Sequence, residues 1–309
     1  MSEMSAWSVP RLRGRRHRST ARRNRSASSR GRGKASAPRL SAKVAIFYIA
    51  LIMAALIWLM PVITLVLTAL KDAGDFALNG AFSLPKSIRW ANFSEAWQTG
   101  VGNYFWNSVI VTGIKVPIGV LIEAMAAFAL THMNFRWANK VFVYVLVGLI
   151  VPMQMTLVPL TLLMNALNLI DTLTGLIILY IGFGVPFGVL VMRGYFRTLP
   201  KAIIEAARID GCSWFRIFYR IALPLALPAV VSLCILDGVA TWNEFILAQI
   251  FLRSDELRTL PLGLVQFSTQ FSTQYDQLAA AVLISVAPVM LVFLLFQRYF
   301  VAGMGGAVK

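Results

Sequence analysis

From Val44 to Leu70 the chain carries no acid or base, and five later stretches are nearly as apolar, at about 104–131, 141–164, 172–196, 223–250 and 278–300. Runs of this length constrain the fold more than any other feature, because a helix needs about 20 apolar residues to cross the hydrocarbon of a bilayer. In that layer no water is available to the backbone, so each run is read as a helix that satisfies its own N–H and C=O groups. The expectation is an all-α, polytopic membrane protein with six transmembrane helices. The first runs from about Lys43 to Leu70 and tolerates Pro61 as a kink. Composition agrees: 58% of residues are hydrophobic, mean hydropathy is +0.70, and only 14% are charged, against about a quarter in soluble domains. With 309 residues, six spans and their loops leave no room for a large soluble domain.

The net charge of +16 points to nucleic acid until its location is considered. Up to Lys43 there are thirteen Lys or Arg against the single acid Glu3, which gives +12 and leaves +4 for the rest. So Arg-rich and apolar-poor a stretch predicts a disordered basic tail over 1–43, held near anionic lipid on the cytoplasmic side. No nucleic-acid partner is expected. Excess Lys and Arg in short loops marks the inside face. Arg136 and Lys140 fall between spans two and three, and Arg193, Arg197, Lys201, Arg208, Arg216 and Arg220 crowd between spans four and five. Both loops are therefore assigned inside, with both termini cytoplasmic, a six-helix domain over 44–300 and a short tail over 301–309. Cys212 and Cys234 are the only cysteines, and His17 and His132 the only histidines, so no disulfide framework or metal site is expected.

The loop at about 198–222 is the one long polar interruption in the second half. Thr198 is placed to cap a short helix carrying Pro200 in its first turn, and Gly211 to end it. Trp214, Ile217, Phe218 and Ile221 then recur at helical spacing, and Pro224 and Pro228 open the next apolar run. Glu205, Ala206 and Ala207, two residues, Asp210 and Gly211, nine residues, then Ile221, Leu223 and Pro224 make a pattern that resembles the EAA loop of binding-protein-dependent ABC importer permeases. Cys212 stands where that family has a small alanine, and Ala202, Ile203 and Ile204 replace acids usual before the motif, so contacts made by those acids do not carry over. The resemblance widens over Met192–Lys309, with Trp242-Asn243-Glu244-Phe245, LRTLPLGL from Leu257, FQRYF from Phe296 and the terminal GAVK. Earlier pieces are Asn107-Ser108, the Pro152, Gln154, Pro159 spacing and NLIDT from Asn168. Together they are similar to the second permease of carbohydrate importers of the maltose type.

No G-x-x-x-x-G-K-[ST] or other phosphate cradle is present, so this chain does not hydrolyse ATP. The resemblance implies a non-catalytic permease in the bacterial inner membrane, binding no cofactor itself. It also implies a second permease, two ATP-binding subunits that use ATP and Mg, and an extracytoplasmic solute-binding protein. The EAA residues would couple to the ATPase, with Glu205 as the docking carboxylate or, alternatively, paired within its helix to Lys201 or Arg208. The GAVK tail resembles one that in relatives reaches the ATPase interface. Lys115, Asp237 and Glu123 are read from physics and not from the resemblance, since each costs on the order of 3 kcal/mol at the bilayer centre. Lys115 and Asp237 lie at similar depths and are expected to face the interior, paired or lining a substrate path. Glu123 is placed nearer the cytoplasmic end, against a basic loop residue or water. Trp242, Asn243 and Glu244 offer a stacking face and polar groups to a sugar, with interfacial anchoring as the other reading of Trp242. The cargo reads as a sugar or oligosaccharide. Glycerol phosphate is the near alternative, and an ion-gradient transporter using Asp237 and Glu123 the alternative of another class.

Overall fold

The computed structural model describes residues 42–268 and 274–305. The basic tail up to residue 41 and the terminal Gly306-Ala307-Val308-Lys309 lie outside the described residues. The described residues up to Ala55 and those from Leu56 onward fall into two units. The helix α1 (Ala42–Ala69) belongs to both, and the packing described below is that of the second.

After α1 come α2 (Ala73–Asn79) and α3 (Ala91–Ala96), which runs through a π-helical turn at Trp97–Val101 into α4 (Gly102–His132). Then follow α5 (Ala138–Val147), α6 (Met153–Ala166), α7 (Leu173–Phe196) and the short α8 (Lys201–Ile209). The second half continues with α9 (Trp214–Ile217), a π-helical turn at Phe218–Ala222, α10 (Leu223–Leu225), α11 (Leu227–Trp242), α12 (Ile246–Phe251), α13 (Leu260–Gly263) and α14 (Tyr275–Gly305).

Among the described residues four segments are long and apolar enough to cross a membrane alone: Ile46–Ala69, Ala91–His132, Leu173–Phe196 and Tyr275–Phe296. Two of the six expected spans are interrupted. The run at 141–164 is split into α5 and α6, and Pro152 stands in extended backbone at the start of α6, where its missing N–H costs no helical bond. The run at 223–250 is bent by 79° between Leu225 and Leu227, then stops at Trp242 before α12 begins. Pro224 and Pro228 explain the bend, since each removes a backbone donor and crowds the carbonyl four residues earlier. Helix α14 continues to Gly305, past the expected end at 300.

Helix α4 packs along α7 and against α11. Toward its carboxyl end the core gathers Val120, Phe128, Met192, Phe196, Ile217 and Leu233. Toward the other end it gathers Val111, Leu176, Tyr180, Leu247 and Phe251. By contrast, the apolar side chains of α1 from Leu56 to Ile63 are exposed, including Trp58. An exposed apolar surface of that extent fits lipid or a partner helix and not water.

The segment after α1 is knitted by buried polar groups. The fully buried Lys71 donates to Gly80 O at 2.6 Å and Ser83 Oγ at 2.7 Å. Asn92 donates to Ala69 O and Lys71 O, closing the end of α1. The Lys86 backbone N–H, 3.0 Å from Asp75 Oδ2, holds that carboxyl below its usual range. A second set of bonds attaches the loop before α13 to the start of α4. Asn107 donates to Glu256 O and Arg258 O, and Ser108 Oγ accepts from Leu260 N at 2.8 Å. Two motifs singled out in the sequence, Asn107-Ser108 and the LRTLP stretch, thus hold each other.

Candidate functional site

The polar residues of the spans meet where α4, α7 and α11 adjoin. Lys115 of α4, 2% exposed, pairs through Nζ with Asp237 Oδ1 of α11, the only interhelical ion pair among the described residues. Glu123, two turns further along α4, is 1% exposed, and neither carboxylate oxygen has a hydrogen-bond partner. A Cβ on Gly184 of α7 would lie 3.0 Å from Lys115 Nζ, 3.1 Å from Glu123 Oε1 and 3.6 Å from Asp237 Oδ1. All three ionisable groups therefore converge on one point of α7, with formal charge −1. This corrects the sequence reading of Glu123, which meets neither a basic loop nor an exposed edge. The reason lies on α7: at Gly188 a Cβ would fall 1.9 Å from Glu123 Oε2, so glycine alone leaves room for the carboxylate.

Beside this cluster lies a cavity of about 280 Å³, bordered by Lys115, Asp237, Tyr180, Thr241 and Glu244 with apolar walls such as Phe183. Tyr180 donates to Glu244 Oε2 at 2.5 Å. Glu244 Oε1 accepts from Leu247 N at 2.8 Å, which caps α12 and ties it to α7. Glu244 thus does structural work as well as bordering the cavity. The other two members of the Trp-Asn-Glu run point elsewhere. Trp242 is 7% exposed, donates through Nε1 to Ser285 O at 3.0 Å and meets Phe105 edge to face, so it is a packing residue and neither an interfacial anchor nor a wall of the cavity. Asn243 donates to Val239 O one turn back. Tyr180 and Thr241 were not singled out in the sequence. Their signal, single hydroxyls inside apolar runs, does not stand out from ordinary span residues.

The second constellation is the loop around α8. Ile204 and Ala207 are buried in the core beneath it, whereas Glu205, Ala206, Arg208 and Asp210 are exposed. Glu205 forms no ion pair with Lys201 or Arg208. Arg208 instead donates to Cys212 O at 2.8 Å and lies over the Trp214 ring at 4.5 Å. Pro200, not Thr198, takes the cap position; the Thr198 hydroxyl donates to Tyr195 O and finishes α7. Gly211 has φ +76, the left-handed backbone expected after the helix, and Cys212 N reaches back to Ala207 O at 3.0 Å. Ile221 lies in the π-helical turn and Leu223 and Pro224 in α10, so the far end of the motif enters the bent span directly.

Between the ends of the sugar-like motifs, Asp171 of NLIDT accepts from Arg253 N at 2.8 Å and Ser254 N at 3.0 Å, and from the Ser254 hydroxyl. That hydroxyl, with the two backbone donors, holds the Asp171 carboxyl below its usual range.

Residues 115–306 match the family model described as binding-protein-dependent transport system inner membrane component. The chain is 40% identical over 250 residues to the probable ABC transporter permease protein YurM of Bacillus subtilis (strain 168), covering 81% of this chain and 83% of that one. It is 33% identical over 281 residues to the arabinooligosaccharides transport system permease protein AraQ of the same organism, covering 88% and 99%. Among solved structures it superposes with TM-score 0.74 on a chain from a bacterial ABC transporter involved in the import of the acidic polysaccharide alginate. That match has 24% identity and covers 85% of this chain and all of the other.

Proposed function

Because the chain belongs to the family of binding-protein-dependent transport system inner membrane components, we propose that it is the membrane-spanning, non-catalytic permease of an ATP-driven importer whose cargo is a sugar or oligosaccharide. The observation that carries the cargo class is the 33% identity to the arabinooligosaccharide permease along nearly all of that protein. In this reading the chain sits in a bacterial inner membrane with both termini cytoplasmic. It pairs with a second permease and two ATP-binding subunits, which use ATP and Mg, and it receives solute from an extracytoplasmic binding protein.

Coupling runs through α8. Its buried face, Ile204 and Ala207, locks the helix to the core, while Glu205 stands exposed and without an ion pair among the described residues. Such a carboxylate is available for a charge-assisted bond to an arginine of the ATPase. When the ATPase dimer closes, α8 moves as a rigid lever. The motion reaches the bent α10–α11 pair through the residues from Trp214 to Leu225, and α11 carries Asp237. The cavity bordered by Lys115, Asp237, Tyr180 and Glu244 is the substrate path in this reading, its polar groups meeting sugar hydroxyls. Asp237 and Glu123 sharing one buried cluster is the feature that an ion-gradient transporter would also need. Uptake into vesicles holding the assembled transporter separates the two: sugar accumulation has to require internal ATP and the ATPase subunits and to persist with a protonophore. Uptake abolished by the protonophore with ATP present would reject ATP drive.

A further inference from the structure

A cavity of about 510 Å³ lies where the carboxyl ends of α4 and α7 meet the start of α8. His132, Arg136, Arg193, Arg197 and Lys201 border it, and no Asp or Glu is among the described residues that do. None of the five makes an ion pair among the described residues. At its inner wall Arg193 is only 6% exposed, yet its Nε and the His132 Nε2 are buried nitrogens with no hydrogen-bond partner. The rest of the Arg193 guanidinium is fixed: Nη2 donates to Asn139 Oδ1 at 2.7 Å, and the group lies over the Phe142 ring at 3.8 Å. A buried cation held so firmly, with a donor left over and more positive charge around it, is costly unless an anion completes it.

We propose that this cavity binds a phosphoryl group, as the headgroup phosphate of an anionic phospholipid or as free phosphate. Free phosphate offers four strong acceptor oxygens and a phospholipid phosphodiester two non-bridging ones, which suits the cationic donors converging from the loop after α4, α7 and α8. The oxygens of either are spread tetrahedrally, whereas a single carboxylate from a partner protein confines its two to one plane. With this end of the bundle on the cytoplasmic side, as proposed above, the opening stands at the level of the inner leaflet, where anionic headgroups concentrate. Lys201 and Arg193 place the site against both the coupling helix and the end of α7, so occupancy would stiffen the lever where it joins the core.

The test uses the complete purified transporter in two arms. Inorganic phosphate is titrated against chloride at equal ionic strength and followed by thermal shift. In parallel, the transporter is passed through nanodiscs of phosphatidylglycerol or phosphatidylcholine, and retained lipid is counted by native mass spectrometry. Saturable phosphate binding is expected, weakened roughly tenfold or more by Arg193→Gln and by Arg197→Gln. Retained phosphatidylglycerol that phosphate displaces identifies a lipid headgroup; phosphate binding without lipid retention identifies free phosphate. Where Arg193→Gln does not assemble, Arg197→Gln and Lys201→Gln decide, since both side chains are exposed. The proposal is overturned if neither phosphate nor lipid binds in a variant-sensitive way. It is equally overturned if the variants lose only the ATPase subunits, which would make the cavity a protein contact. Neither arm measures transport or orientation, so failure here leaves the importer reading standing.

Discussion

Gly188 decides where a charge is stored. A side chain there would strike Glu123 at 1.9 Å, inside any permitted contact, so Gly188→Ala should act as overpacking and cost about 1–3 kcal/mol. Pairing it with Glu123→Ala should restore much of the loss, read as recovery of the detergent melting temperature. Asn92 is a second residue with a large expected effect. Its amide closes two carbonyls at the end of α1 from a fully buried position, so Asn92→Ala should cost about 1–3 kcal/mol by leaving buried acceptors unpaired. Glu205 is the opposite case. It is exposed and forms no ion pair among the described residues, so Glu205→Ala should leave melting and insertion unchanged while ATP hydrolysis continues without uptake. Uptake at the native rate in that variant would remove Glu205 from coupling. None of these contrasts is visible in residue type: Glu123 and Glu205 read alike until their surroundings are known.

At the scale of elements, the Lys115–Asp237 pair is a clasp between α4 and α11. Removing Lys115 strands two carboxylates in an apolar interior, a loss on the order of 3–5 kcal/mol, so Lys115→Met should impair assembly more than Asp237→Asn, which leaves Lys115 beside Glu123. The Lys115→Asp, Asp237→Lys double variant should recover part of it, measured as folded yield from membranes. Absence of any recovery would mean that Glu123, which shares the site, fixes the sign of the charge at each position. Asp171 clasps the α6–α7 and α12–α13 connections. Its carboxyl titrates lower in the folded chain than in the unfolded one because it accepts from Ser254 and Arg253. The stabilisation it provides is therefore complete above the ordinary carboxylate pKa of ~4 and lost as pH falls through the lower native value. Amide exchange at Arg253 and Ser254 should be flat from neutral pH down to about 5 and rise only below about 4 beyond the intrinsic trend. Matching depth along two spans was enough to bring Lys115 and Asp237 together from sequence, since charges in an apolar layer have few alternatives. Glu123 was misplaced because distance from a helix end says nothing about which neighbour leaves a gap.

Over the whole molecule, the sequence by itself determined the class of protein and the extent of α1, α4, α7 and α8. Apolar length, the missing phosphate cradle and the EAA pattern are local properties, and local properties survive without a structure. It determined as well the left-handed turn at Gly211, because backbone sterics there depend on one residue and its neighbours. Only the tertiary structure decided that the spans at 141–164 and 223–250 are interrupted, since a proline that kinks a helix and one that ends it differ in what packs around the freed backbone groups. It alone separated Glu244, which borders the cavity, from Trp242 and Asn243, which do not. Trp242 is the last residue of α11, Asn243 its cap, and Glu244 lies in the connection to α12. Which one faces the cavity is therefore settled by where the chain leaves α11 and by the Tyr180 hydroxyl that holds Glu244 toward α7, a contact between residues far apart in the chain.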